Sequence, residues 1–168
     1  MNEFLRASLL GGLLLTCSAA VVAAEEKGDD LGKRVTAAKV TLQQGLTASE
    51  AKGKPISGKF EIDEGHFQLS TYTLQGGKFY EVIVDHLTGA ISKSEQITEG
   101  EDLAEAKKQS AAMAKATKPL KSAVDQAEQG SLGFRAVSVE PQVKAGHPVA
   151  TVELMKGAAK KSVSEPLD

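Results

Sequence analysis

Few residues in this chain can do chemistry. There are three histidines, His66, His86 and His147, and one cysteine, Cys17, alongside 22 acidic and 20 basic residues. A zinc ion needs three or four converging ligands, and no two of the histidines have the i, i+4 spacing that would align them on one helix face. The grouping with the best ligand chemistry is Asp63, Glu64 and His66 beside Asp85 and His86, which forms a cluster only if strand ends bring it together. The simpler reading places these histidines at exposed turns and strand ends, and no metal or cofactor is expected. Nucleophilic catalysis finds no footing either: no serine sits in a G-x-S-x-G elbow, and there is no P-loop, dinucleotide fingerprint or His-Glu-x-x-His. The acid pairs Glu25-Glu26, Asp29-Asp30 and Glu101-Asp102 open segments, where they solvate the chain or favour a helix N-terminus. No catalytic residue is assigned, and the chain reads as a non-enzyme.

Composition narrows the field further. The 168 residues are 41% hydrophobic, 25% charged and 4% aromatic, enough for one ordinary domain or two very small ones. A net charge of −2 lacks the basic excess of a nucleic-acid binder. One cysteine excludes an intramolecular disulfide and every multi-cysteine metal site.

The opening residues have the pattern of an export leader. Arg6 and the amino terminus supply positive charge, residues 9–15 begin an uncharged stretch, and Val22 and Ala24 stand at the −3 and −1 positions before Glu25. Cleavage between Ala24 and Glu25 is the expectation, with a periplasmic or secreted product and no stable membrane span after it. Two alternatives stay open: an uncleaved anchor over residues 7–24, which approaches the ~20 residues a spanning helix needs, and a lipid anchor on Cys17. Cleavage would leave 144 of the 168 residues and no cysteine, so the fold would hold by its core alone.

Any site must be positioned by the remaining elements, which form a degenerate repeat. Leu42, Leu46 and Glu50 recur as Leu120, Val124 and Glu128, an offset of 78; Phe60 and Ile62 match Val137 and Val139, an offset of 77; Phe67, Leu69, Thr71, Leu74 and Gly77 match His147, Val149, Thr151, Leu154 and Gly157, an offset of 80. Each copy reads as one helix followed by a strand meander. In the first, Thr41 caps a helix striped by Leu42 and Leu46 that Gly53 and Pro55 stop, and strands follow at 58–63, 66–74 and 78–85 with turns at Glu64-Gly65 and Gly76-Gly77. In the second, Pro119 opens a helix striped by Leu120, Val124 and Ala127, and strands follow at 134–140, 149–155 and 161–164. Residues 101–116 are helical by propensity. The stripe of Leu103, Ala106, Ser110 and Met113 runs in phase to Leu120 and Val124, which predicts one long helix bent at Pro119. The face of the first meander left open by its helix is expected to carry Gln68, Ser70, Tyr72 and Tyr80 and to be available to a partner or to the other repeat.

Residues 80–91, Tyr-Glu-Val-Ile-Val-Asp-His-Leu-Thr-Gly-Ala-Ile, resemble the end of a PepSY domain, a Tyr-x-Val-x-Val strand running into Asp-x-x-Thr-Gly. In that motif Asp85, Thr88 and Gly89 form a structural turn: Asp85 accepts backbone hydrogen bonds and Gly89 permits a positive φ. The division that follows is a signal peptide at 1–24, a flexible segment at 25–35, a PepSY-like unit at 36–97, a connecting helix at 98–116 and a second unit at 117–168 without the terminal motif. The expected fold is α+β, two PepSY-like units that are each an antiparallel meander packed on one helix. The resemblance implies an exported noncatalytic protein-interaction module with a peptidase-inhibiting or regulating role, whose partner is an extracytoplasmic protein, a peptidase being the class it names. The alternative is a periplasmic protein that binds a small ligand or metal on its open sheet faces.

Overall fold

The computed structural model describes residues 30–168. The expected leader, its Ala24-Glu25 junction and Cys17 lie outside the described residues. Helix α1 covers residues 30–37, and α2 (Leu42–Ser49) leads through a 3-10 turn (Glu50–Lys52) into β1 (Lys54–Asp63), β2 (His66–Gln75), β3 (Lys78–Val84) and β4 (Ile91–Ile97). Helices α3 (Gly100–Met113) and α4 (Leu120–Gln129) precede β5 (Arg135–Lys144), β6 (His147–Lys156) and β7 (Ala159–Pro166). All seven strands form one antiparallel sheet in the order β4-β3-β2-β1-β5-β6-β7. The architecture is α+β, as expected, but the two meanders share one sheet through the β1–β5 pairing.

Local chemistry explains the helices that face the core. Thr41 and Gln44 form a reciprocal capping box at the start of α2, with the Gln44 N–H donating to the Thr41 hydroxyl at 3.2 Å and the Thr41 N–H donating to Gln44 Oε1 at 2.8 Å. Leu42 and Leu46 then bury against Phe60, Leu69, Val82 and Val84, while α4 buries Leu120 and Val124 over Val139, Val152 and Leu154. Helix α1 docks through Val35, which is 1% exposed, and the Arg135 guanidinium donates to the carbonyls of Val35 (2.6 Å), Ala38 (3.1 Å) and Thr36 (3.2 Å) at its C-terminal end. The segment expected to be flexible through residue 35 is therefore helical from residue 30.

The strand repeat is real, but its spacing differs from the sequence alignment. Lys54 to Arg135 and His66 to His147 are both separations of 81 positions, and β1 and β5, like β2 and β6, are equally long. The bulge between Pro55 and Ser57 recurs between Ala136 and Ser138, and the turn at Glu64 (φ 48°) and Gly65 (φ 84°) recurs at Ala145 (49°) and Gly146 (88°). The offset of 80 is wrong by one and, because side chains alternate every residue, places inward residues on outward ones; the offset of 77 is wrong by four and keeps the facing while displacing the register by four residues. Leu69, fully buried, has Ala150 as its counterpart, also fully buried, and not Val149. Gly58 pairs with Val139, its own repeat mate, so a local two-fold axis passes through the middle of the sheet.

The connector departs from expectation. It is two helices, because Pro119 takes an extended backbone (ψ 154°) and the N–H groups of Thr117 and Lys118 turn away to donate to the Leu167 carbonyl at 2.8 and 3.0 Å. Helix α3 also lies on the other side of the sheet. A side chain at Gly58 would meet Leu46 and Leu42 of α2 at 3.2 and 3.3 Å, so alternation turns the neighbouring Ser57 and Lys59 away from α2, and the Ser57 hydroxyl donates to Gln109 Oε1 of α3 at 2.6 Å. The molecule thus has three layers, α2 and α4, then the sheet, then α3, with α1 held at the Arg135 end of the sheet.

Candidate functional site

The Asp85 turn is a self-contained clasp. Asp85 Oδ1 accepts from the Leu87 N–H (3.0 Å), the Thr88 N–H (2.7 Å) and the Thr88 hydroxyl (2.8 Å), and Gly89 takes φ 78° while its N–H donates to the Asp85 carbonyl at 2.8 Å. The Thr88 hydroxyl and backbone N–H together hold the Asp85 carboxyl below its ordinary range. The next carbonyl, that of His86, accepts from the N–H groups of both Lys39 and Val40 at 3.0 Å, which ties the link between α1 and α2 to the sheet. These contacts leave Asp85 committed to its own turn.

The histidines do not assemble a metal site. His86 packs edge-on against Phe67 with centroids 4.8 Å apart, and His147 Nδ1 pairs with Asp168 Oδ2 at 2.7 Å. Asp63 and His66 are cross-strand partners at the β1–β2 hairpin. Among the described residues, no three His, Cys, Asp or Glu side chains converge to hold an ion.

The polar chemistry gathers on the α3 side of β1, β2 and β3. Register places Lys59 beside Ser70, Glu61 beside Gln68, Ser57 beside Tyr72, and Tyr72 beside Glu81. Lys59 Nζ contacts Glu61 Oε2 at 2.7 Å and sits 5.8 Å from the Tyr72 ring centre. The Ser70 hydroxyl donates to Glu61 Oε1 at 2.6 Å, Gln68 Nε2 donates to the same oxygen at 3.4 Å, and the Tyr72 hydroxyl donates to Glu81 Oε1 at 3.4 Å. Where α3 roofs this face, a cleft of about 90 Å³ opens between Ser57, Lys59 and Tyr72 below and Asp102, Glu105 and Gln109 above.

The two half-buried glutamates are driven in opposite directions. Burial raises Glu61, but its bonds to Lys59 and Ser70 outweigh that effect and hold it below the ordinary carboxylate range. Burial also raises Glu81, and the neighbouring Glu61 charge adds to the rise, so Glu81 lies above that range. Tyr72 is raised by burial and then by Glu81, Glu61 and Asp102. Lys59 is engaged by Glu61 and, on the roof, Lys108 pairs with Glu105 at 3.2 Å, so the carboxylates Glu61, Glu81, Asp102, Glu105 and Glu140 outnumber these lysines and the face with its roof presents an excess of acceptors and negative charge. Such a surface suits a cationic side chain better than an anion.

The sequence located part of this face. Gln68, Ser70 and Tyr72 lie on it as expected, whereas Tyr80 pairs with Thr73 and shares the α2 side with Val82 and Val84. Lys59, Glu61 and Glu81 went unrecognised, although their alternation with Phe60 on β1 and with Val82 on β3 carried the signal. The stacked rings of Phe60 and Phe67, 5.5 Å apart, lie in the core and against it.

The fold and this face define an α+β protein with a repeated strand meander, helices on both sides of a single sheet, and one acidic cleft beneath α3. The chain matches no family model, no curated protein and no solved structure. No helix among the described residues is long and apolar enough to cross a membrane.

Proposed function

We propose that this chain is an exported, noncatalytic interaction module that recognises a partner protein through the acidic face beneath α3, with one basic side chain of the partner entering the cleft. The observation that carries the reading is the cleft itself. Its volume of about 90 Å³ is below the ~300 Å³ at which pockets for drug-sized ligands begin, yet it admits the end of a lysine or arginine. Asp102 on its roof, Glu140 at its side and Glu81 beside Tyr72 would meet the incoming charge, with Glu105 shared between it and Lys108, which already contacts Glu105 at 3.2 Å. The leader pattern of residues 1–24 supports export. The likeness of residues 80–91 to the end of a PepSY domain supports restraint of a peptidase as the biological role. The alternative of a small ligand or metal on the open sheet face draws less support, because the cleft on that face is small and, among the described residues, no three potential metal ligands converge; the larger hollows, of about 270 and 380 Å³, lie beside α2 and α4 instead.

The test is capture of host extracytoplasmic proteins on the wild-type chain and on Glu81→Gln/Glu105→Gln, with inhibition assays on every peptidase recovered. A partner held by the wild type should bind the double variant at least about tenfold more weakly and lose affinity as salt rises. Equal retention by both proteins, or repeated capture of no partner, refutes the reading.

A further inference from the structure

We propose that two copies of this chain associate through their β4 edges, in antiparallel pairing about a two-fold axis at Ser94, to form one continuous fourteen-strand sheet from the two seven-strand sheets. Strand β4 is a terminal strand of the sheet, paired only with β3, and its five central residues are all exposed. An edge of this kind offers a free row of backbone donors and acceptors to another strand.

Its sequence is self-complementary. Antiparallel pairing centred on Ser94 sets Lys93 opposite Glu95 of the second copy and Glu95 opposite its Lys93, with Ile91 opposite Ile97 at both ends and Ser92 opposite Gln96. A shift of the axis to Glu95 would oppose the two Glu95 carboxylates, and an axis midway between Ser94 and Glu95 would separate the opposite charges. Charge therefore selects one register. In the single chain, Lys93 and Glu95 pair with each other at 2.9 Å, with side chains 58% and 61% exposed.

The cross-strand neighbour of Glu95 points the same way. Glu81 of β3 stands directly opposite Glu95 of β4, and facing like charges destabilise a sheet. The second copy would place a lysine on the other flank of Glu95, so that the row across the junction runs Glu81, Glu95 and the second copy's Lys93. The opposite edge is unsuited to the same role. Strand β7 ends in Pro166, which has no N–H to give, and its Lys160-Lys161 pair is balanced by only Glu165.

Analytical ultracentrifugation of the full chain tests the proposal. The wild type should show a monomer–dimer equilibrium. Lys93→Glu and Glu95→Lys each turn two attractive contacts into two repulsive ones and should weaken the dimer on the order of thirtyfold, with circular dichroism unchanged because both positions are exposed. An equal mixture of the two variants again sets glutamate opposite lysine at every charged position, so it should recover a heterodimer. The double exchange Lys93→Glu/Glu95→Lys should dimerise on its own. A wild type that stays monomeric, a dimer that survives either single reversal, or a mixture or double exchange that fails to associate overturns the proposal.

Discussion

Replacing Gly45 with alanine should destabilise this protein, although alanine is the better helix former. Gly45 lies inside α2, and a Cβ built there falls 2.3 Å from Leu69 Cδ2, 3.0 Å from its Cγ and 3.4 Å from Cδ1. Leu69 is fully buried, so relieving the overlap must push it against its packed neighbours, and overpacking costs about 1–3 kcal/mol. Helix propensity returns up to ~1 kcal/mol. The net loss is about 1–2 kcal/mol, or a fall in Tm of roughly 3–8 °C for a domain of this size. Leu69→Ala deletes all three atoms that the new methyl meets and by itself costs about 2–5 kcal/mol. In that background the Gly45→Ala methyl enters the vacated space, the propensity term prevails, and the same substitution should stabilise by about 1 kcal/mol. Urea unfolding of the four proteins closes the cycle, with an expected coupling of about 2–3 kcal/mol. If Gly45→Ala stabilises the wild type, or has the same sign in both backgrounds, the close approach of α2 to β2 is not what holds this position to glycine.

Two further outcomes follow from the electrostatics. Glu81 binds its proton more tightly folded than unfolded, so its ionised form opposes folding above the ordinary carboxylate value near 4.5; Glu81→Gln should stabilise at neutral pH, and the gain should vanish as pH falls below that value. Glu61 has the reverse sign: Glu61→Gln should cost stability at neutral pH, and the cost should fade as pH drops through the lowered value, so denaturation midpoints of the two variants should converge in acid. Arg135→Ala removes the single guanidinium nitrogen that donates to the carbonyls of Val35, Thr36 and Ala38, and hydrogen exchange should then accelerate in residues 30–37 well before it does in β5 and β6; unchanged protection there would show that Val35 burial alone docks α1.

How much of this was legible in the sequence depended on where each signal resides. The hairpin turns were readable because Gly65, Gly76 and Gly77 supply the positive φ that tight turns require. The core face of β2 was readable from the alternation of Phe67, Leu69, Thr71 and Thr73. Strand β4 was not, since its central residues, from Ser92 to Gln96, are all polar and exposed, and an edge strand with no buried face leaves no hydrophobic period. The break between α3 and α4 depends on the Leu167 carbonyl at the far end of the chain accepting from Thr117 and Lys118, a contact that no local window contains. The acidic face was missed for a related reason: Glu61 and Glu81 are 20 positions apart in sequence and meet only through the registers of two hairpins.

The repeat also shows why one half of the molecule holds the site. At a separation of 81, Glu61 and Ser70 correspond to Gln142 and Thr151, and both pairs are hydrogen-bonded across their strands. The backbone frame is therefore conserved between halves while the charge is not. Tyr72 corresponds to Glu153 and Glu81 to Ser162, so the second half lacks the tyrosine, the facing carboxylates and the stack on lysine. Lys59 and Glu140 are repeat mates as well, opposite in charge, and both line the cleft near the two-fold axis. A sheet with this local symmetry offers two equivalent places for a covering helix, but the chain supplies a single α3 between its halves. That helix closes over the centre and leaves the outer strands β2 and β3 of the first half accessible. The acidic excess lies under the same edge of α3, so the proposed partner, drawn by charge, would have one way to dock and not two.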